Sequence, residues 1–387
     1  MADILRVALL SDYPLTEDGT QSGGVISVTY ALAHALARRE DVECHVVASA
    51  DNVVETYRQV GNLHIHFATR LDLPRLLTDH LYDVPKLRNI VRDIDPDVVH
   101  GEGQDRHGLA AIASGYPNVV TPHGVAFIEA GLQKGVFGPL KGWLMARNER
   151  LVFEKSQDLI IISRYLPQIY GDLLQSRTHF IENPIDPAFF SLERDVVPTR
   201  LLFVGTVVPR KRVLDVVNAF AKLVEMRRAE SLESDSIELR IVGPVFGDEY
   251  ETSVRDLVSS KNLDSQISIT GAVSQEQLVQ EFQRAGMLLL ASQEETAPQV
   301  IAQSLACGLP VVASKAGGVP YMVEHEKTAM LFEPGDTEDC ANQINRLLND
   351  PELRGQMSAH IVNEARKRFH PDSIAAATVD VYRQITG

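Results

Sequence analysis

Short apolar runs alternate with amphipathic stretches along the whole chain. Runs at 4–10, 44–48, 63–67, 97–100, 118–121, 158–162 and 179–181 are rich in Val and Ile. Gly, Pro, Asp or Asn bound them, so they read as strands. Stretches such as 24–38 and 140–155 read as helices between them. The rhythm restarts at 200–204 and continues at 238–242, 266–270, 287–291 and 309–313. In the first helix of this second half, Val213, Val216, Val217, Phe220, Leu223 and Val224 fall at three- and four-residue spacing and make one apolar stripe. Strand–helix alternation at this spacing predicts an α/β fold of parallel sheets covered on both faces. Between the halves, 183–198 carries Pro184, Pro187 and Pro198 without periodicity and reads as a linker. The expected domains are 1–190 and 191–370. A last helix, 371–387, follows the break at His370-Pro371 and is expected to pack back on the first domain.

Composition adds bounds rather than a function. A chain of 387 residues suits two domains that each bury a core. An apolar fraction of 44% with 23% charged residues excludes global disorder. The 37 Lys and Arg against 52 Asp and Glu give a net charge of −15, which disfavours a nucleic-acid partner. Cys44, Cys307 and Cys340 are too few and too scattered for a disulfide framework or a zinc knuckle, and fit a reducing, cytoplasmic compartment. No apolar run approaches the roughly 18–20 residues of a membrane span. Arg6 interrupts 4–10 and Asp12 follows, so this run reads as a buried first strand rather than a signal peptide.

In doubly wound sheets ligands sit beyond the carboxyl ends of the strands, which directs attention to the loops that follow strands. Ser22-Gly23-Gly24 enters a helix and allows close backbone approach to a phosphate or sugar; alone it is equally a flexible turn. His123, in Thr121-Pro122-His123-Gly124, stands where a strand ends, and His100 precedes Gly101-Glu102-Gly103 in a similar place. His64 and His66 alternate on one strand face. Without a third ligand they read as a half-exposed strand, and no metal site is expected. Gly205 through Arg212 ends in the triplet Arg210-Lys211-Arg212 at a helix start, where cations are disfavoured unless an anion binds. A diphosphate would offset that cost. A second triplet, Arg366-Lys367-Arg368, reads as a solvated face. In 292–313, Glu295 and Gln303 bracket a short helix, so a carboxylate and an amide could grip hydroxyls at two ends of one ligand.

This last stretch resembles the signature of the retaining glycosyltransferases of family 4 (glycosyltransferase group 1). They show E-x7-E followed by A-x-G-x-P-V-V, here Ala306-Cys307-Gly308-Leu309-Pro310-Val311-Val312. Supporting pieces fall in family order: Ser22-Gly23-Gly24, Asp97-Val98-Val99-His100, His123-Gly124, Asn183-Pro184-Ile185-Asp186, Gly205 with Lys211, Ile241-Val242-Gly243 and Gly317-Gly318-Val319-Pro320. The resemblance implies a GT-B fold, two Rossmann-like doubly wound domains facing across a cleft. It implies a nucleotide-diphosphate sugar of the UDP, GDP or ADP type as co-substrate on the second domain, with no cofactor. A sugar or lipid-linked acceptor would sit on the first.

By the same resemblance, Lys211 holds the diphosphate beside Gly205 and Thr206, helped by Arg210 or Arg212. Glu295 binds the transferred sugar with the backbone of Thr296, Ala297, Pro298, Gln299 and Val300. Gln303 meets the ribose, the backbone at Val273 meets the base, and His123 lies near the reacting carbon. Gly23 and Gly24 let the first domain close, and His100 and Glu102 lie on the acceptor side. The family retains anomeric configuration, its leaving phosphate takes the acceptor's proton, and it demands no protein nucleophile or metal. Three residues depart from the pattern. Gln303 replaces a Glu, Thr206 a basic residue, and Pro298 a glycine, with the loss of one N–H.

Two other readings compete. One is a nucleotide-sugar epimerase using Glu102 as a carboxylate on the first domain. The other is a non-catalytic sugar or nucleotide binder. The segment 137–155 sets Trp143, Leu144 and Met145 beside Lys141, Arg147, Arg150 and Lys155. It is compatible with weak peripheral contact at the inner face of a membrane. Its periodicity also fits a core-packed helix with snorkelling cations, the preferred reading.

Overall fold

The computed structural model describes residues 4–15, 23–51, 56–70, 80, 82–131, 137–232, 234 and 236–387; Ser22 of the first glycine motif lies outside them. The chain divides into two compact units, Met1–Ile185 with His370–Gly387, and Asp186–Phe369.

The first unit contains β1 (Leu5–Leu10), β2 (Val42–Asp51), β3 (Thr56–Val60), β4 (Leu63–Arg70), β5 (Val98–Glu102), β6 (Asn118–Thr121), β7 (Asp158–Ile161) and β8 (Arg177–Phe180). Their order is β3-β4-β2-β1-β5-β6-β7-β8. All neighbours are parallel except β3, which runs antiparallel to β4. Strand order reverses between β1 and β5, a topological switch point. Val7, Leu9, Val42, Cys44, Val46, Leu63 and Ile65 are buried under the helix Gly24–Ala37 and the terminal helix Pro371–Thr386. The terminal helix starts cleanly because Pro371 pre-sets its first turn. It inserts Ile374, Val379 and Tyr382 into this core.

The second unit contains β9 (Arg200–Val204), β10 (Glu238–Val242), β11 (Ile267–Gly271), β12 (Met287–Leu290), β13 (Val311–Ser314) and β14 (Ala329–Phe332). They form one sheet in the order β11-β10-β9-β12-β13-β14. Every pair is parallel, and the order reverses between β9 and β12.

Three expectations need correction. The proline-rich segment is not a loose linker: Pro187–Phe190 makes a 3-10 turn, and Phe189 packs edge-to-face on Phe282 with ring centroids 5.0 Å apart. Arg366 donates to the Phe190 carbonyl (3.3 Å) and Arg368 to that of Met322 (3.1 Å), so two members of that triplet are tertiary anchors. Strands β3 and β14 were not expected.

Candidate active site

In the second unit the loops after β9 and β12 flank the switch point. Gly205 leaves β9 with its N–H bonded to Val242 O (2.9 Å), and Thr206 follows half-buried. The 3-10 turn Pro209–Lys211 then presents the basic side chains. Lys211 Nζ bonds Glu295 Oε1, and Ser292 Oγ donates to the same oxygen at 2.6 Å. Arg210 donates to Glu294 O (2.8 Å) and stands 3.7 Å from Glu295 Oε2. Arg212 takes another part: it adopts φ 49° at the start of helix Val213–Ala229 and bonds Asp215 at 2.5 Å. Arg210 is therefore the cation that joins Lys211.

Glu295 is 6% exposed, so its charge is compensated by one lysine and one arginine. Its carbonyl accepts from Gly318 N (2.7 Å). Gly317 comes so close that a Cβ there would lie 2.2 Å from that oxygen, at φ +49°. This is the reason for a glycine at that position. Thr296 and Pro298 are buried, Ala297 is half-buried, and helix Gln299–Cys307 begins directly after Pro298. The N–H groups of the first turn of a helix point away from its body, toward whatever lies beyond its amino end. On its buried side Gln303 is 7% exposed, and its Oε1 has no hydrogen-bond partner. Val273 follows β11, two strands along from β9, and is half-buried.

In the first unit the helix Gly24–Ala37 opens at Gly23, whose φ of 111° requires glycine. The loops after β5 and β6 bring Glu102 and His123 together: His123 Nε2 lies 2.5 Å from Glu102 Oε2. His100 sits beneath, its Nε2 2.6 Å from Thr121 Oγ1 and its Nδ1 2.7 Å from the Tyr382 hydroxyl. Burial alone would raise the Glu102 pKa, but His100 and His123 outweigh it and hold the group below the usual carboxylate range. Burial holds His100 below the usual imidazole range. An ionised Glu102 can accept a hydrogen bond from His123 Nε2–H.

Glu102 and His123 line a cavity of about 470 Å³ together with Asp12, Asp105, Arg106 and His107. Arg106 is 3% exposed, bonds Asp12 and lies 3.3 Å from Asp105. Burial opposes its charge, yet Asp105 and Asp12 raise its pKa further above the usual value. His107 Nδ1 is 3.3 Å from Asp105, while its buried Nε2 has no hydrogen-bond partner. Glu149, 2% exposed, accepts from Ala126 N (2.6 Å) and Phe127 N (3.2 Å) and so pins the chain just after His123.

Sequence reasoning missed Asp12, Arg106, His107 and Glu149. The run Asp105-Arg106-His107 directly after a strand was the available signal. Asp12 and Glu149 are brought there by topology. On the helix Gly138–Lys155, Val152 and Phe153 are buried as core packing requires, whereas Phe137, Leu140 and Trp143 are 67%, 47% and 61% exposed. Among the described residues no helix is long and apolar enough to cross a membrane.

The model of glycosyl transferases group 1 matches 185–368, and that of glycosyltransferase family 4 matches 22–189. The two halves thus place the chain in the family 4, group 1 glycosyltransferases of GT-B fold. A D-inositol 3-phosphate glycosyltransferase of Nocardioides is 25% identical over 98% of this chain and 90% of its own length. An N-acetyl-alpha-D-glucosaminyl L-malate synthase of Bacillus anthracis is 30% identical over 45% of this chain, and the match spans only 42% of that protein. Among solved structures, the sucrose-phosphate synthase of Thermosynechococcus elongatus superposes with a TM-score of 0.81 at 18% identity, covering 98% of this chain and 99% of that one. Anabaena HepE in complex with UDP-glucose superposes at 0.71 and 17% identity, covering 98% and 100%. At these identities the likeness is one of fold.

Proposed function

We propose that this chain transfers a sugar from a nucleotide-diphosphate sugar to an acceptor hydroxyl, with retention of anomeric configuration and without a metal at the reaction centre. The observation that carries the reading is the group at the second unit's switch point. Lys211 and Arg210 converge on buried Glu295, beside a buried, unpartnered Gln303 acceptor. The solved complex of HepE with UDP-glucose supports a nucleotide-sugar donor on this fold.

In this reading Lys211 and Arg210 swing from Glu295 to the diphosphate and stabilise the charge that builds on the leaving group. Glu295, released, orients hydroxyls of the sugar. The amino end of the helix Gln299–Cys307 faces the phosphate side, Gln303 meets the ribose, and Val273 meets the base. Gly205 and Thr206 provide close backbone approach. In the first unit, His123 and the cavity around Arg106 receive the acceptor. Glu102 is committed to His123 and buried, so it acts as a positioning group. That favours transfer over epimerisation, which would need a free carboxylate. The leaving phosphate takes the acceptor's proton.

The test is calorimetry with UDP, GDP and ADP, followed by turnover with the sugar of the tightest base. One nucleotide should bind, and its sugar should be slowly hydrolysed even without acceptor. Glu295→Ala should abolish turnover yet hold or tighten free-nucleotide binding, by up to about tenfold, because the carboxylate no longer competes for Lys211. No binding of any nucleotide rejects the reading; binding without turnover leaves the non-catalytic binder.

The exposed Phe137, Leu140 and Trp143, with the Arg147 guanidinium 5.9 Å from the Trp143 ring centroid, support a lipid-linked acceptor at an anionic membrane surface. Co-sedimentation with anionic vesicles should fall in Trp143→Ser and be absent with neutral vesicles. Equal sedimentation of the variant removes this part of the proposal.

A further inference from the structure

At the opposite end of the first sheet from Glu102 and His123, near the amino ends of β2 and β4, Glu43, His45, His64 and His66 share one face with Tyr57 and Gln59 of β3. Parallel register sets His45 directly opposite His64, and antiparallel register sets Gln59 opposite His64 and Tyr57 opposite His66. Glu43 lies two residues before His45 and therefore on the same face. The intervening Cys44, Val46, Leu63 and Ile65 point into the core and fix that register. Directly paired strand positions bring side chains to within about 5 Å. Accordingly Glu43, His45 and His64 each offer a ligand atom within 4.8 Å of the others.

We propose that Glu43, His45 and His64 form a binding site for one divalent transition-metal cation of the zinc class. The donor set, two imidazoles and a carboxylate, suits zinc-class ions rather than calcium or magnesium. The surrounding bonds select the ligand atoms. His45 Nε2 faces Glu43 (2.8 Å), while its Nδ1 lies 3.1 Å from His66 Nε2, so an Nδ1–H donated to His66 leaves Nε2 for the metal. His64 Nδ1 lies 2.6 Å from the Tyr57 hydroxyl, which in turn donates to Gln59 Oε1 at 3.1 Å. An Nδ1–H donated to Tyr57 likewise frees His64 Nε2. Such outer hydrogen bonds to the second ring nitrogen are how proteins orient metal-bound histidines. Arg6 Nε holds Glu43 Oε1 (3.0 Å) and leaves Oε2 to the metal. Asp93 and Ile94 border the same depression, where a water can complete the coordination. Such an ion would clip the edge hairpin of β3 and β4 to β2, away from the transfer chemistry.

The test uses the tag-free full chain, stripped with chelator and dialysed against Zn²⁺, and in parallel titrated with Co²⁺. The expected results are one equivalent of Zn²⁺ and the intense visible absorption of four- or five-coordinate Co²⁺. His45→Gln and His64→Ala should lose both. Tyr57→Phe, which keeps every ligand, should weaken affinity by roughly 10–100-fold. Absence of stoichiometric Zn²⁺ uptake by the unaltered chain overturns the proposal, as does a weak, octahedral Co²⁺ spectrum. So does full uptake by a His45→Gln, His64→Ala double variant.

Discussion

Gln303 shows how a single side chain can carry opposite signs for stability and function. Its Oε1 is buried without a partner, and an unsatisfied buried acceptor costs about 1–3 kcal/mol. Gln303→Leu should therefore stabilise the ligand-free chain by about 1 kcal/mol in denaturant titrations while weakening nucleotide binding at least about tenfold. A variant that binds nucleotide as well as the parent would remove Gln303 from the donor site. Glu295, Lys211 and Gln303 were legible as individuals, because each sits in a loop or helix directly after a strand. The ion pair between Lys211 and Glu295 was not, since 84 positions separate them and only the adjacency of β9 and β12 brings them together. The same holds for His45. The pair His64 and His66 was visible on one strand, but the third and fourth groups come from another strand, through a register that no local pattern specifies.

At the level of elements, the buried strands were the most legible. β6, β9 and β10 match their expected bounds because their buried centres, Val119-Val120, Leu201-Leu202-Phe203 and Leu239, Ile241 and Val242, are apolar, while Asn118, Arg200, Glu238 and Arg240 fall at half-buried positions. β3 escaped because it is an exposed edge strand, Thr-Tyr-Arg-Gln-Val, whose only apolar contrast faces solvent. The loop carrying Glu295 is shaped by a neighbouring segment of the second unit, 317–318. Gly317, ahead of the short helix Val319–Met322, supports the Glu295 carbonyl at a distance no Cβ tolerates. Gly317→Ala should shift that carbonyl and lower kcat/KM by about 100-fold or more, the scale of an ångström-sized misplacement. Steady-state kinetics beside circular dichroism separates this from unfolding; unchanged kinetics would show that the loop is held by other contacts.

Across the whole molecule, an overall charge of −15 coexists with a compact cationic grip, so net charge informs on polyanion partners and says little about one diphosphate. The terminal helix has wider reach. It covers the first unit's core with Ile374, Val379 and Tyr382, and its Tyr382 hydroxyl holds His100. Each such side chain contributes about 1.5–3 kcal/mol, against a total stability of about 5–15 kcal/mol for a domain. Truncation after Phe369 should therefore leave the first unit without cooperative unfolding. The unit Asp186–Phe369 should keep its amide protection in hydrogen exchange. Retention of protection in β1 and β5 would contradict this.

The split in the first unit has a consequence for how the protein is made. A ribosome synthesises β1 to β8 first, then the whole second unit, and only then the helix that completes the first. The second unit is continuous in the chain and can close as it emerges. The first must wait, its apolar face uncovered, while 184 residues are translated. During that interval it is the part of the nascent protein most in need of a chaperone.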